Sequence, residues 1–237
     1  MHTLDGNAIE KMLAVACSRI HEKKDWLSEL DAACGDGDHG VSVARGFLAV
    51  EEQLSSWKGL APGVMIRKAG MVLVSSIGGA AGPLLGTLFI EAGKTIGDQK
   101  SVSTADLAAM FDAGLAGICK RGGAKAGDKT LVDALIPAVH ALKNAAENEL
   151  TPSEALGSAA TAARAGAEAT TQMLARQGRS RYLGERALGH PDAGAYTVVV
   201  LFEALAEGAN RVALRTMMSK ESKKHGDEEA NQQSGQS

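Results

Sequence analysis

Apolar positions along the chain recur mainly every three to four residues, the period of one helix face. Ile9, Leu13, Ala16 and Ile20 open the series, with Asn7 placed to cap it. A shorter run carries Trp26, Leu27 and Leu30 up to Asp31. Val43, Phe47 and Val50 predict a helix from near His39 to Ser55, and another run covers roughly 62 to 77. Pro83 suits the first position of a helix reaching about Gly97. Ser103 or Thr104 can cap a helix to Cys119, which the following RGG stops. Further runs cover about 130 to 148, 152 to 177 and 194 to 215. Thr151 as cap, Pro152 in the first turn and Glu154 as the capping-box partner mark the start of the second. VVVLFEAL has the composition of a short buried strand, but its continuity with an Ala-rich helical run favours helix. The pattern predicts about eight substantial helices and no alternating strand. It therefore predicts an all-α fold with a single domain over residues 1–215. The stretch SKKHGDEEANQQSGQS has no apolar periodicity, so residues 216–237 read as a polar, disordered tail.

Composition supports this picture and removes several function classes. A chain of 237 residues suits one domain with a sizeable core. Hydrophobic residues at 45% and charged residues at 22% are ordinary for a soluble globular protein. Aromatics are only 3%, and a core of Ala, Leu, Val and Met suits closely packed helices better than a sheet. The net charge of -3, without a basic stripe interleaved with aromatics, argues against nucleic acid and anionic membranes as partners. Cys17, Cys34 and Cys119 are odd in number, widely spaced and form no CxxC, as expected of free thiols in a reducing compartment. The N-terminal MHTLDGNAIEKML lacks the n- and h-regions of a signal peptide. The most apolar run is broken by Gly78, Gly79, Gly82 and Pro83, which makes it a poor membrane span. The expected location is the cytoplasm.

Chemistry-bearing residues concentrate in four Gly-rich breaks between helices: 31 to 40, 78 to 82, 121 to 130 and 178 to 194. They make one site if all lie at the same end of the helices. In CGDGDHG, Gly35, Gly37 and Gly40 have the GxGxxG spacing of a dinucleotide-binding turn. However, no strand precedes them, and Asp36 and Asp38 would repel a pyrophosphate. Two like charges about 4 Å apart cost on the order of 4 kcal/mol at an effective dielectric near 20. An EF-hand fails by counting, since Val41 and Phe47 fall where Gly and Glu are required, and a start at Asp31 puts Asp36 at the Gly position. Asp31, Asp36 and Asp38 can instead converge around Mg²⁺, which takes a few carboxylates and fills its remaining positions with water and phosphate oxygens. The plainer alternative is an Asp/Gly turn that caps the next helix.

The other breaks each have two readings. SSIGGAAGP sets small residues before a helix N-terminus, suited either to an anion or to tight packing. RGGAKAGDKT approaches a Walker A loop, but Asp128 intrudes before Lys129 and Thr130, and no strand precedes it. It remains a Gly-rich loop beside a basic residue, with Asp128 or Thr130 able to cap the following helix. Arg179, Arg181, Arg186 and His190 share one non-helical segment, either a phosphate-facing cluster or a solvated basic loop.

With LDAACGDGDHG, SSIGGAAGPLLGT, GDKTLVDALIPAV and RYLGERALGHPDAGA in this order, the chain over about residues 5 to 212 resembles the nucleotide-binding L subunit of dihydroxyacetone kinases. The resemblance implies an eight-helix antiparallel barrel with ADP or ATP bound at one end. It implies that Asp31, Asp36 and Asp38 hold two Mg²⁺, and that His39, Gly40, Val41 and Ser42 form a phosphate-side turn. Ala80 and Ala81 match a small-residue loop on the phosphates, with Ala81 replacing a serine found in many members. Gly122 and Leu131 match positions near the adenine. Arg179 and Asp192, Ala193 and Gly194 match the loop over the nucleotide, with Ala193 where the family often has proline. Arg179 joins the aspartates as the expected catalytic set, and His39 is expected to contact phosphate.

The resemblance further implies a separate K subunit that holds dihydroxyacetone covalently. A phosphotransferase-system phosphocarrier, the M subunit, would rephosphorylate ADP in place. ATP as an ordinary substrate, and another short ketose such as erythrulose, are the alternatives within the family. A homodimer and a heterotetramer with K are both left open. Outside it, a metal-dependent phosphohydrolase or a regulatory nucleotide-binding module could use the same aspartates.

Overall fold

The computed structural model describes residues 3–234, with side chains described for residues 3–218. Among them are nine α-helices: α1 (Gly6–Glu22), α2 (Lys24–Ala32), α3 (His39–Leu54), α4 (Pro62–Ser76), α5 (Ala81–Ile96), α6 (Thr104–Gly122), α7 (Leu131–Glu147), α8 (Pro152–Ala169) and α9 (Ala193–Ser234). Two two-residue strands, β1 (Leu4–Asp5) and β2 (Ser101–Val102), pair antiparallel with Leu4 opposite Val102. The fold is all-α, as the apolar period predicts, and VVVLFEAL lies inside α9.

Side-chain chemistry accounts for most helix boundaries. Thr151 and Glu154 form the capping box at α8, and Ser103 with Asp106 does the same for α6. Thr130 with Asp133 caps α7, and Gly123 ends α6 in the left-handed region at φ 70°. Four boundaries differ from expectation. Asp5 replaces Asn7 as cap of α1, accepting from the Ala8 N–H. Pro83 is the third residue of α5, where its missing N–H is equally harmless. Helix α8 stops at Ala169 because the Thr170 hydroxyl turns back onto Ala167 O and its carbonyl is drawn to Lys129. Helix α9 continues to Ser234, so its backbone enters the segment read as a disordered tail. That segment carries several Lys, Glu and Gln residues, which sustain a helix already nucleated upstream. Residues 235–237 of the tail lie outside the described residues.

Packing runs in a cycle. α1 lies against α3, α3 against α4, and each helix against the next through α9, which returns to α1. α2 sits outside that cycle, against α3 and α9. Phe47 meets Phe89 edge-on at 6.1 Å, and Phe111 tilts onto Phe202 at 4.7 Å. Each such pair contributes about 0.5–1.5 kcal/mol beyond its area burial. Glycine makes the closest approach possible between α4 and α5, where a Cβ on Gly70 would lie 2.7 Å from Gly86 O and from Ile90 N.

The connections sort to two ends. At one, β1 pairs with β2, Thr104 Oγ1 donates to Leu150 O at 2.6 Å, and Gly6 abuts Leu60 O. The links preceding α3, α5, α7 and α9 come together around one cavity at the other end. Cys17, Cys34 and Cys119 are free thiols. Burial pushes the Cys17 thiol up to about 12, so it stays protonated and unreactive.

Candidate nucleotide and metal site

Helix α2 presents the first aspartate. It docks through buried Leu27 and through Trp26, whose ring meets Tyr196 of α9 edge-on at 5.1 Å. After Ala32 the chain folds back, and Cys34 N and Gly35 N donate to Asp31 O at 3.0 and 2.5 Å. Gly37 takes φ 76°, where a side chain would be strained. Its N–H donates to Asp31 Oδ2 at 2.9 Å and that of His39 donates to the same oxygen at 3.4 Å. Asp31 therefore shapes the loop as well as lining it. One carboxylate oxygen each from Asp31, Asp36 and Asp38 lies within 4.8 Å of the others. Asp36 and Asp38 are exposed, and Arg179 Nη1 forms an ion pair with Asp36 Oδ2.

Gly40 is buried where a Cβ would overlap Lys24 O, so its smallness lets the start of α3 press against α2 beside the carboxylates. His39 Nε2 lies 2.7 Å from Thr197 Oγ1, and that hydroxyl donates to Ala193 O at 3.1 Å. Thr197 thereby links the imidazole to the first turn of α9. Burial lowers the His39 pKa, opposed by Asp31 and Asp38.

The other three links complete the surroundings. Ala80 and Ala81 begin α5 without any side-chain cap, which leaves first-turn N–H groups for an anion. Gly122 packs under Leu84, where a Cβ would sit 3.0 Å from Leu84 Cδ2. Gly194 is held small by Asp192 Oδ2 at 3.0 Å and Leu131 Cβ at 3.5 Å. The segment between α8 and α9 lies over the acidic loop, with Cys34 packed against Ala175 and Ala187.

These links enclose a cavity of about 450 Å³, the size of a small-ligand pocket. Asp31, Asp36, Asp38, His39 and Ser42 border it, with Ala80, Ala81, Gly122, Leu131, Arg179, Asp192, Ala193 and Gly194. Gly40 and Val41 do not. Gly40 is buried against α2, and Val41 is half exposed with its N–H on Ser28 Oγ at 3.3 Å. Of the four basic side chains singled out between 178 and 194, only Arg179 borders the cavity. Sequence reasoning missed Leu84 and Ile118 as apolar wall, Thr197 behind His39, and Lys129 as a buried tether. Their contacts join elements far apart in sequence. Only Leu84, one residue past Pro83 at a helix start, and Lys129, the basic residue of a Gly-rich loop, gave any signal.

Asp192 has the most displaced carboxyl. Burial pushes it from 3.8 up to about 7, against the Ala195 N–H and the Lys129 ammonium, while Asp133 and Asp31 add to the rise. Between these values the folded chain holds a proton that the unfolded chain has lost. Stability of the metal-free protein therefore falls as pH rises from about 4 to about 7. Asp192→Asn keeps an acceptor for Ala195 and removes the titration. Melting temperatures across that range should decline less in the variant, and an equal decline in both would place the effect elsewhere.

Comparison with known proteins places the chain in a family. The DAK2 domain family matches residues 33–207. The chain is 40% identical over 187 residues to the Escherichia coli K12 PEP-dependent dihydroxyacetone kinase, ADP-binding subunit DhaL, covering 79% of this chain and 89% of that one. It is 38% identical over 189 residues to the Lactococcus lactis PTS-dependent dihydroxyacetone kinase, ADP-binding subunit DhaL, covering 80% and 90%. The C. freundii dihydroxyacetone kinase, solved in complex with AMP-PNP and Mg²⁺, superposes with a TM-score of 0.66 at 28% identity. That match covers 87% of this chain and 35% of the larger enzyme. The chain thus belongs to the DAK2 family, whose relatives here are subunits of phosphotransferases, the dihydroxyacetone kinases.

Proposed function

We propose that this chain is the ADP- or ATP-binding subunit of a dihydroxyacetone kinase and passes a phosphoryl group to dihydroxyacetone held on a separate K subunit. The observation that carries this reading is the convergence of Asp31, Asp36 and Asp38 at a cavity with an uncapped helix start and an apolar wall. The donor set fits Mg²⁺. Three carboxylate oxygens within 4.8 Å of one another are the hard ligands that Mg²⁺ takes. Asp31, Asp36 and Asp38 would hold two Mg²⁺, which when bound neutralise phosphate charge.

The chain's own residues do the rest. First-turn N–H groups at Ala80 and Ala81 bind phosphate oxygens, with a backbone N–H serving where family members have a serine hydroxyl. Leu84, Ile118 and Leu131 offer the flat apolar surface an adenine needs. Arg179 adds a positive charge at the carboxylate edge, and His39, held through Nε2 by Thr197, borders the cavity beside the aspartates. No general base is assigned, since the acceptor hydroxyl, that of dihydroxyacetone, is activated on the partner. Catalysis is then positioning and charge neutralisation.

A phosphotransferase-system donor is favoured over ATP because relatives named PEP- or PTS-dependent reach 40% and 38% identity. An L-erythrulose kinase of Pectobacterium atrosepticum reaches 33%, with this chain covering 32% of its length. The eight-helix barrel is supported by the closed packing cycle, with α2 outside it, and the cytoplasm by free thiols. No described helix is long and apolar enough to cross a membrane. The test is reconstitution with a K subunit and dihydroxyacetone, supplying either a phosphorylated phosphocarrier or ATP. Product formed with the phosphocarrier alone supports this reading. Product with ATP alone moves the chain to the ATP-dependent class, and phosphate release without any acceptor moves it to the hydrolases.

A further inference from the structure

The segment that covers the cavity is tied at its neck by one buried ammonium. Lys129 is 2% exposed. Its Nζ donates to Thr170 O and Ala187 O at 2.8 Å each and to His190 O at 2.5 Å. An ammonium has three hydrogens, and all three are used. The acceptors bracket the segment, with Thr170 just before it, Ala187 near its end and His190 just after it. Lys129 itself sits at φ 61°, an uncommon conformation for a residue with a Cβ, so its backbone is held to this geometry by its surroundings. Two shorter clips lie alongside: Gly189 N donates to Thr171 O and Asp192 N to Thr170 Oγ1, both at 2.9 Å. The tip is different. Tyr182 is 73% exposed, and the Arg179–Asp36 pair is largely in solvent.

We propose that Lys129 is a positioning residue that closes the neck of the 171–189 segment and thereby sets how long a Mg²⁺-nucleotide stays bound. The physical reason is the convergence of three carbonyl oxygens. Their dipoles repel one another, and without a cation buried Ala187 O loses its described partner while Thr170 O keeps only the Met173 N–H. With the neck shut, entry and exit are confined to the tip, where only solvent-exposed contacts must break. This rests on the nucleotide-binding reading of the cavity.

The test has two arms on the full chain. In nucleotide-free wild type, amide exchange read by NMR should be at least ~10-fold slower at Gly189 and Asp192 than across residues 178–186. Neck amides exchanging as fast as the tip would overturn the proposal, whether or not any variant folds and whether or not nucleotide binds. In the second arm, release of a fluorescent ADP analogue with Mg²⁺ is followed by stopped flow. Lys129→Met should release it ~10-fold or more faster, with neck amides rising to tip rates and amides of α4 and α5 unchanged. Lys129→Arg, which retains charge and donors, should recover part of the slow release. Wild-type release rates in Lys129→Met would overturn the proposal. A wild type that binds no analogue at all defeats the nucleotide reading instead, and the exchange arm still decides the tether.

Discussion

Asp36→Asn should weaken Mg²⁺-nucleotide binding by at least ~100-fold while leaving the metal-free fold as stable as before. Loss of a residue that merely orients a metal ligand costs about 10- to 100-fold in affinity, and loss of the ligand itself costs no less. Stability should not follow, because the Asp36 side chain is exposed and its described partner is the exposed Arg179. Such pairs contribute about 0–1 kcal/mol. Substitution also removes repulsion from Asp31 and Asp38, whose oxygens lie within 4.8 Å. Calorimetric titration with Mg²⁺ and ADP reads the first effect, and thermal melting without metal reads the second. A melting temperature that falls by several degrees would make the loop a structural turn. The comparison with Asp31→Asn is informative, since Asp31 Oδ2 also receives the N–H groups of Gly37 and His39. That variant should lose both binding and loop order.

Arg179→Met should slow phosphoryl transfer by about 100-fold or more and change nucleotide affinity by only a few-fold. Removing one positioned donor that stabilises developing charge costs about 10²- to 10³-fold in turnover. Arg179 sits on the covering segment and reaches the carboxylate edge, and its backbone carbonyl merely receives Tyr182 N in a turn. Its long side chain can follow the transferring group while the segment stays in place. Single-turnover transfer to dihydroxyacetone on the K subunit, beside equilibrium binding of ADP, separates the two quantities. If affinity falls as much as the rate, Arg179 holds the ground state and is a binding residue only.

Much of the site was legible because its residues are local in sequence. Asp31, Asp36 and Asp38 lie within eight positions, and the glycines among them announce a tight turn before a helix. Capping residues such as Thr151 and Ser103 placed helix starts for the same reason. What stayed hidden depends on distant parts of the chain. Lys129 reads as a near-miss of a Walker lysine, yet its ammonium turns away from that role to Thr170, Ala187 and His190, up to 61 positions away. Thr197 reads as one more helical residue until its hydroxyl is seen beside His39, 158 positions earlier. The end of α8 was overrun because Thr170 and Thr171 continue an Ala-rich pattern. The competing bonds that stop the helix come from Lys129 and Asp192. Gly40 reads as part of the phosphate turn, whereas the structure buries it where a Cβ would meet Lys24 and Ser28.

The account rests on one claim, that the three aspartates hold a nucleotide through Mg²⁺. Native mass spectrometry of the purified chain after extensive dialysis, with the released small molecules identified, tests it most directly. The account predicts ADP and two Mg²⁺ carried through dialysis, and loss of both in Asp36→Asn. A chain that arrives empty and takes up neither ADP nor ATP when Mg²⁺ is added would contradict it.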